Sequence, residues 1–225
     1  MITPFPRRKH RPAFTLIELL VVIAVIGILA AMTVSITGKV DRDKKIKTAR
    51  VELTQIETAI AAYKAKLSSY PPDNGNDPVR NPLYFELSGT TNNGTVYRTL
   101  DGSSQVISPV DLQTLFGAAS SIAGFVNSST TSSGDDTRGA VNFLKDFRPN
   151  QIVQTRNNAG QVINSYLVCS VKWTGPQPLI ALDPTWNPWQ YNSSCPTHNP
   201  SSYDLWVDLY IRGKIYRISN WSKTP

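Results

Sequence analysis

Glu18 is the residue on which the chemistry of this sequence turns. It is a carboxylate set inside the apolar run FTLIELLVVIAVIGILAAMTVSI, residues 14–36, and no other acid precedes it. An ionised acid deep in hydrocarbon costs on the order of 3 kcal/mol unless it is paired or kept near the interface. Two roles suit it: a carboxylate at headgroup level, or one that waits for a cationic partner from a neighbouring chain. Other residues that could do chemistry are few. His198, in Cys195-Pro196-Thr197-His198, is the only histidine after the first 13 residues, which leaves too few ligands for zinc and reads as part of a turn. Asp135 and Asp136 are adjacent carboxylates, but nothing in their Ser/Gly-rich surroundings would desolvate them or shift their protonation. The sequence has no Gly-x-Ser-x-Gly elbow, phosphate loop or dinucleotide fingerprint, so an enzyme is not expected.

The charge balance points the same way. Of the formal net charge of +7, four positive charges lie at Arg7, Arg8, Lys9 and Arg11; without them the rest of the chain carries +3. That excess, with no zinc finger, RNA-binding aromatic motif or basic dimer helix, gives no basis for nucleic-acid binding.

The elements that must position Glu18 begin with the apolar run itself. As a helix its 23 residues would span roughly 34 Å, enough to cross a hydrocarbon core. A secretory signal peptide would have a shorter apolar region and a small-x-small cleavage site, which Ile28-Leu29-Ala30-Ala31 lacks. An all-round apolar surface of this length also argues against a soluble core helix. Six cations, Lys39, Arg42, Lys44, Lys45, Lys47 and Arg50, follow the run, against four before it, so charge alone does not orient the segment.

Beyond the run, Ile46, Leu53, Ile60 and Leu67 recur at seven-residue spacing with Ala49, Ile56 and Tyr63 between them, which predicts one apolar seam on a continuing helix. Such a short seam is expected to pack on its own domain rather than form a coiled coil. The helix should run to about Ser69 and stop at Tyr70-Pro71-Pro72. Residues 76–139 are rich in Ser, Thr, Asn and Gly and read as loops, with a short helix started by Pro109-Val110-Asp111. The last third is strand-like: a hairpin from residues 151–155 and 161–173 around Asn157-Asn158-Ala159-Gly160, then residues 203–207, 209–212 and 214–219 around Gly213. Strands that follow one long helix, with no helices between them, predict an α+β fold with an antiparallel sheet packed on the helix.

A short basic leader, then Ala13, then Phe14-Thr15-Leu16-Ile17-Glu18 opening a long apolar helix resembles the signature of type IV prepilins and the related type II secretion pseudopilins. Later landmarks resemble the major pseudopilin of type II secretion: Tyr70-Pro71-Pro72, the stretch from Ala181 through Pro184, Trp186, Pro188 and Trp189 to Tyr191, Tyr203-Asp204-Leu205, and Ile218-Ser219-Asn220-Trp221. The match covers both ends of the chain and not the middle, so residues 76–139 read as an insertion.

The resemblance implies a pilin-like α+β fold and an architecture of leader 1–13, transmembrane or filament-core helix 14–36, amphipathic stalk 37–69 and globular domain 70–225. It implies that a prepilin peptidase cuts between Ala13 and Phe14 and methylates the new amino terminus of Phe14. Most members have glycine before the cut, so Ala13 is a departure; Ser35 is another, where many relatives have a helix-breaking proline, although Gly27 and Gly38 remain as weak points. Glu18 would meet the Phe14 amino group of an adjacent subunit, which neutralises its charge and fixes subunit register. The implied location is the bacterial inner membrane, single-pass, with the leader in the cytoplasm and both the globular domain and the assembled filament in the periplasm. The implied partners are the lipid bilayer, further copies in a helical homopolymer, the peptidase, an assembly platform and minor pseudopilins. The function would be export of folded proteins by a pseudopilus; the alternatives are a surface pilus subunit for adhesion, motility or DNA uptake, and a membrane-tethered binding protein that does not polymerise.

In that family a calcium ion often staples the final loop through acidic residues. Here Asp204 and Asp208 are the carboxylates, with Lys214 and Arg217 nearby; calcium needs six to eight oxygens, several of them charged, and the cations disfavour it. No cofactor is expected. A disulfide between Cys169 and Cys195 could replace the staple, closing a loop of about 25 residues worth roughly 3 kcal/mol; the alternative is two buried thiols.

Overall fold

The computed structural model describes residues 15–75, 77–103, 105–116, 122–130, 139–156, 162–180 and 183–224, with the side chains of residues 32–38, 113 and 114 left aside. Ala13, Phe14, Asp135, Asp136 and the expected turn at residues 157–160 lie outside the described residues. The chain divides into two compact units, residues 1–43 and 44–225.

Helix α1, Leu16–Leu67, runs through Gly27, Ser35 and Gly38 without a break. In the first unit its described apolar side chains are exposed, from Leu16 at 81% to Leu29 at 58%. Among the described residues no helix is long and apolar enough to cross a membrane; the expected 14–36 span takes in Phe14 and side chains outside that description.

The second unit is built on the seam. Ala49, Leu53, Ile56, Ile60 and Tyr63 are fully or almost fully buried, and Ile46 and Leu67 pack at the edges of the same core. A period near 3.6 brings these positions to one face, which the rest of the unit covers. The helix ends where Ser68 turns to φ 62° and donates its amide to Lys64, ahead of Pro71 and Pro72, whose rings and missing amide hydrogens prevent continuation.

The segment that follows α1 is anchored to the C-terminal region. The carboxylate of Asp73 accepts the amides of Ser193 and Ser194 at 2.8 and 3.0 Å and the Ser194 hydroxyl at 3.0 Å. The Tyr191 and Ser193 hydroxyls both donate to the Pro71 carbonyl at 2.8 Å.

Residues 76–139 do not form the run of loops expected. Helix α2 spans Leu83–Ser88, and β1 Thr90–Asn92, β2 Tyr97–Thr99, β3 Val106–Ile107 and β4 Ser128–Thr130 form a sheet in the order β3-β2-β1-β4. Within it β1 and β4 are parallel and the other pairs antiparallel. Helix α3, Asp111–Phe116, begins where a short helix was expected. Aromatic burial overrides the polar composition: Phe85 stacks on Phe125 with centroids 5.1 Å apart, and Tyr97 and Phe116 pack edge-on to Phe125. Gly89 leaves α2 at φ 71°, where a Cβ would come within 2.8 Å of the Val141 carbonyl, so a side chain is excluded there.

The remaining strands are β5 Ile152–Arg156, β6 Val162–Leu167, β7 Gln190–Asn192, β8 Asp204–Ile211 and β9 Lys214–Ser219. β5 and β6 form the expected hairpin, but β6 stops at Leu167 rather than reaching Trp173; the amides of Cys169 and Trp173 bond instead to carbonyls of Asn187 and Thr185. β8 continues through Asp208 without interruption and is central in the antiparallel order β7-β8-β9. Arg212 at φ 52° and Gly213 at φ 80° make the tight β8–β9 turn, both central residues having the positive φ that matches strand twist. Leu205, Val207, Leu209 and Ile211 alternate inward onto the core shared with α1. The fold is thus α+β, with the second half of a long N-terminal helix packed on a C-terminal antiparallel sheet, as the resemblance implied.

Candidate functional site

Glu18 stands in the first turn of α1. Its carboxylate accepts the Thr15 amide at 2.9 Å and the Thr15 hydroxyl at 2.8 Å, while the Glu18 amide donates back to the Thr15 hydroxyl oxygen at 3.3 Å. This reciprocal capping box satisfies two of the amides that a helix start leaves without partners. The charge also lies at the positive end of the helix dipole, where an anion is favoured. Thr15 was not singled out from the sequence, although Thr15-Leu16-Ile17-Glu18 carries the Thr-x-x-Glu spacing that announces such a cap. Apart from Thr15, the described side chains neighbouring Glu18 along the helix are exposed and apolar, and none of them is a cation.

A second cluster closes the C-terminal end. Asp204, almost wholly buried, accepts the amides of Thr197, His198 and Asn199 at 2.8, 2.9 and 2.9 Å and lies 3.1 Å from Nδ1 of His198. Burial pushes its carboxyl up, but the hydrogen bonds from His198, Asn199 and Thr197 outweigh that and hold it below its ordinary value. The His198 ring lies flat on Trp221, centroids 4.0 Å apart and planes 6° from parallel. Asp208 is engaged elsewhere, gripped by both ends of the Arg217 guanidinium at 2.8 Å. The two candidate calcium carboxylates thus serve different protein donors, and among the described residues no group of three or more His, Cys, Asp or Glu side chains could hold a metal ion.

Cys169 and Cys195 stand as free thiols, the first buried and the second exposed. The Cys169 amide donates to the Asn187 carbonyl at 2.8 Å, and the Cys195 amide donates to the Asn192 side chain at 3.0 Å. Burial pushes the Cys169 thiol up, with the Glu52 charge adding to the effect.

Glu86, fully buried in α2, was also missed. It accepts the amides of Val126 and Asn127, each at 2.9 Å, and the hydroxyl of Tyr63 on α1 at 2.8 Å. Burial pushes its carboxyl up against the opposing pull of those three donors. The residue joins the stalk face of α1 to residues 126–127 and is a structural hub.

Residues 8–34 match the model of the prokaryotic N-terminal methylation motif. The chain is 36% identical over 66 residues to type II secretion system core protein G of Klebsiella michiganensis, covering 29% of this chain and 46% of the relative. It is 34% identical over 65 residues to the protein of the same name from Pseudomonas aeruginosa, again 29% and 46%. The chain thus spans about half the length of the curated relatives it matches. No solved structure matches it.

Proposed function

We propose that this prepilin-like chain, similar in part to the major pseudopilin of type II secretion, is a structural subunit of a pseudopilus and not an enzyme. The observation that carries the proposal is the methylation motif placed at the start of a 52-residue helix whose only first-turn charge is Glu18. In the single chain that carboxylate caps its own helix through Thr15. Cleavage between Ala13 and Phe14 would create an amino terminus, methylated at Phe14, whose counterpart on an adjacent subunit would be a cationic partner for Glu18. Removal of both charges from water makes the pair strong only when its geometry is satisfied, so the contact sets axial register as well as adhesion.

The chain then divides into a leader, 1–13, a membrane and filament-core helix, 14–36, a stalk, 37–69, and a globular domain, 70–225, carried on the periplasmic side of the bacterial inner membrane. Its partners are further copies of itself, the prepilin peptidase, the assembly platform, minor pseudopilins and the bilayer. Work on a cargo would come from polymerisation, with the globular domain forming the outer surface of the fibre.

The test is assembly in a reconstituted secretion system by Glu18→Leu and Glu18→Gln subunits. Both should be processed at the amino terminus and accumulate in the membrane, yet form no filaments. Filaments of normal length from Glu18→Leu subunits would overturn the role given to Glu18. The folded middle region around Glu86 favours one second reading, a surface pilus subunit with that region as its exposed face. Loss of surface filaments with secretion intact in a deletion strain would select it.

A further inference from the structure

Strand β8 starts beside the end of α1 and runs back along it. Tyr203, just before the strand, packs edge-on to Tyr70 with ring centroids 5.1 Å apart, and Ser202 donates to the Tyr70 hydroxyl at 3.0 Å. Further along, the Asn187 amide group donates to the Asp208 carbonyl at 2.9 Å, the Cys169 amide donates to the Asn187 carbonyl at 2.8 Å, and the next amide, that of Ser170, donates to Glu52 on α1 at 3.0 Å. Asp208 is therefore near the level of Glu52. Strand residues advance about 3.3 Å and helix residues about 1.5 Å, so the three residues from Asp208 to Ile211 reach about seven helix residues further, to the level of Lys45. The Arg212-Gly213 turn lies at the end of the folded unit where the chain arrives.

That end gathers cations. Lys44 and Lys47 are exposed on α1, Lys45 and Arg50 are half-buried beside them, and Arg212 and Lys214 are exposed at the turn. Three acids of this stretch are engaged: Asp43 with Arg42, Asp208 with Arg217 and Glu52 with Ser170. Two apolar side chains lie among the cations, Ile215 at 62% exposure and Val51 at 68%. Cations interleaved with exposed aliphatic residues fit a surface that offers phosphodiester charge and, beneath it, hydrocarbon.

We propose that this basic end of the folded unit docks on an anionic phospholipid surface. The proposal rests on the anchor reading above, since residues 14–36 would deliver the unit to a membrane eight residues before Lys44. Docking would hold an unassembled subunit against the bilayer and release it when the face lifts away on entry into a filament.

The test uses the full chain reconstituted in phosphatidylcholine vesicles containing a minor fraction of either phosphatidylglycerol or further phosphatidylcholine, the added lipid carrying a photoreactive group next to its headgroup. Labelled peptides are located by mass spectrometry. Peptides containing Lys44 to Arg50 and Arg212 to Ile215 should take up the anionic label at least about threefold more than the zwitterionic one, and the difference should vanish at high salt. The pair Arg212→Asn with Lys214→Glu should abolish the preference at the turn; Asn-Gly is favoured in this turn type, so the hairpin is retained. Equal labelling by both lipids, or no label at the turn while the Leu16 to Ala31 region is labelled, would overturn the docking face and leave the anchor standing. An unlabelled Leu16 to Ala31 region would remove the anchor, and the docking proposal with it.

Discussion

The Tyr63 hydroxyl on α1 donates to the Glu86 carboxylate in α2 at 2.8 Å, deep in the core. The same side chain holds the Val126 and Asn127 amides, so one carboxyl group ties the stalk to the middle region through three donors. Tyr63→Phe removes one donor and should cost about 1–2 kcal/mol, whereas Glu86→Ala leaves three donors, two of them buried, without their acceptor and should cost about 3 kcal/mol or more. Denaturant unfolding of the full chain in detergent measures both. A Glu86→Ala loss smaller than that of Tyr63→Phe would mean that the carboxylate is not the hub.

Asp204 should make the C-terminal end sensitive to acid. Its carboxyl is held below its ordinary value, so between the folded and unfolded values the unfolded chain binds more protons, and stability falls as the pH drops through that window. The contribution is complete above the ordinary carboxyl value of about 3.9 and is lost below the folded one. Asp204→Asn should lower stability by about 1–3 kcal/mol at neutral pH and flatten this part of the acid profile. Melting curves of both proteins from neutral pH into acid provide the comparison; parallel profiles would refute the assignment.

The two thiols should behave differently. Cys195 is exposed and Cys169 buried, with its thiol pushed up by burial, so an alkylating reagent should modify only Cys195 in the native protein and both residues after denaturation without reductant. Failure to modify either residue in the unreduced, denatured chain would restore the disulfide.

How much of this was legible depends on the range over which the determining contacts act. The seam Ala49, Leu53, Ile56, Ile60 and Tyr63 is periodic, and the Pro71-Pro72 stop is local, so helix and stalk could be read directly. The β8–β9 pair was recognisable from its apolar alternation and the glycine at its turn. The middle region was not: β1 to β4 are two or three residues long, too short for alternation to register, and they exist because Phe85, Tyr97, Phe116 and Phe125 meet in space. Glu86 looks like a surface charge in sequence because two of its donors lie forty residues away. Asp204 resembles a metal ligand for a related reason, since the three amides that occupy it come from a loop whose backbone direction no residue type announces.

For Glu18, a charge-reversed partner would be informative beyond simple loss. Glu18→Lys should fail to assemble alone and should block wild-type filaments when co-expressed, because a cation would then face the methylated amino terminus of each neighbour. Filament length against the ratio of the two subunits reads the effect, and no change with added variant would contradict it.

The most direct test of the account is the amino terminus itself, determined by mass spectrometry after co-expression of the chain with a matching prepilin peptidase. The account predicts a single product beginning at N-methylated Phe14, with Ala13 removed. An intact amino terminus, or a cut after the apolar run near Ala31, would contradict the precursor reading and with it the function proposed for Glu18.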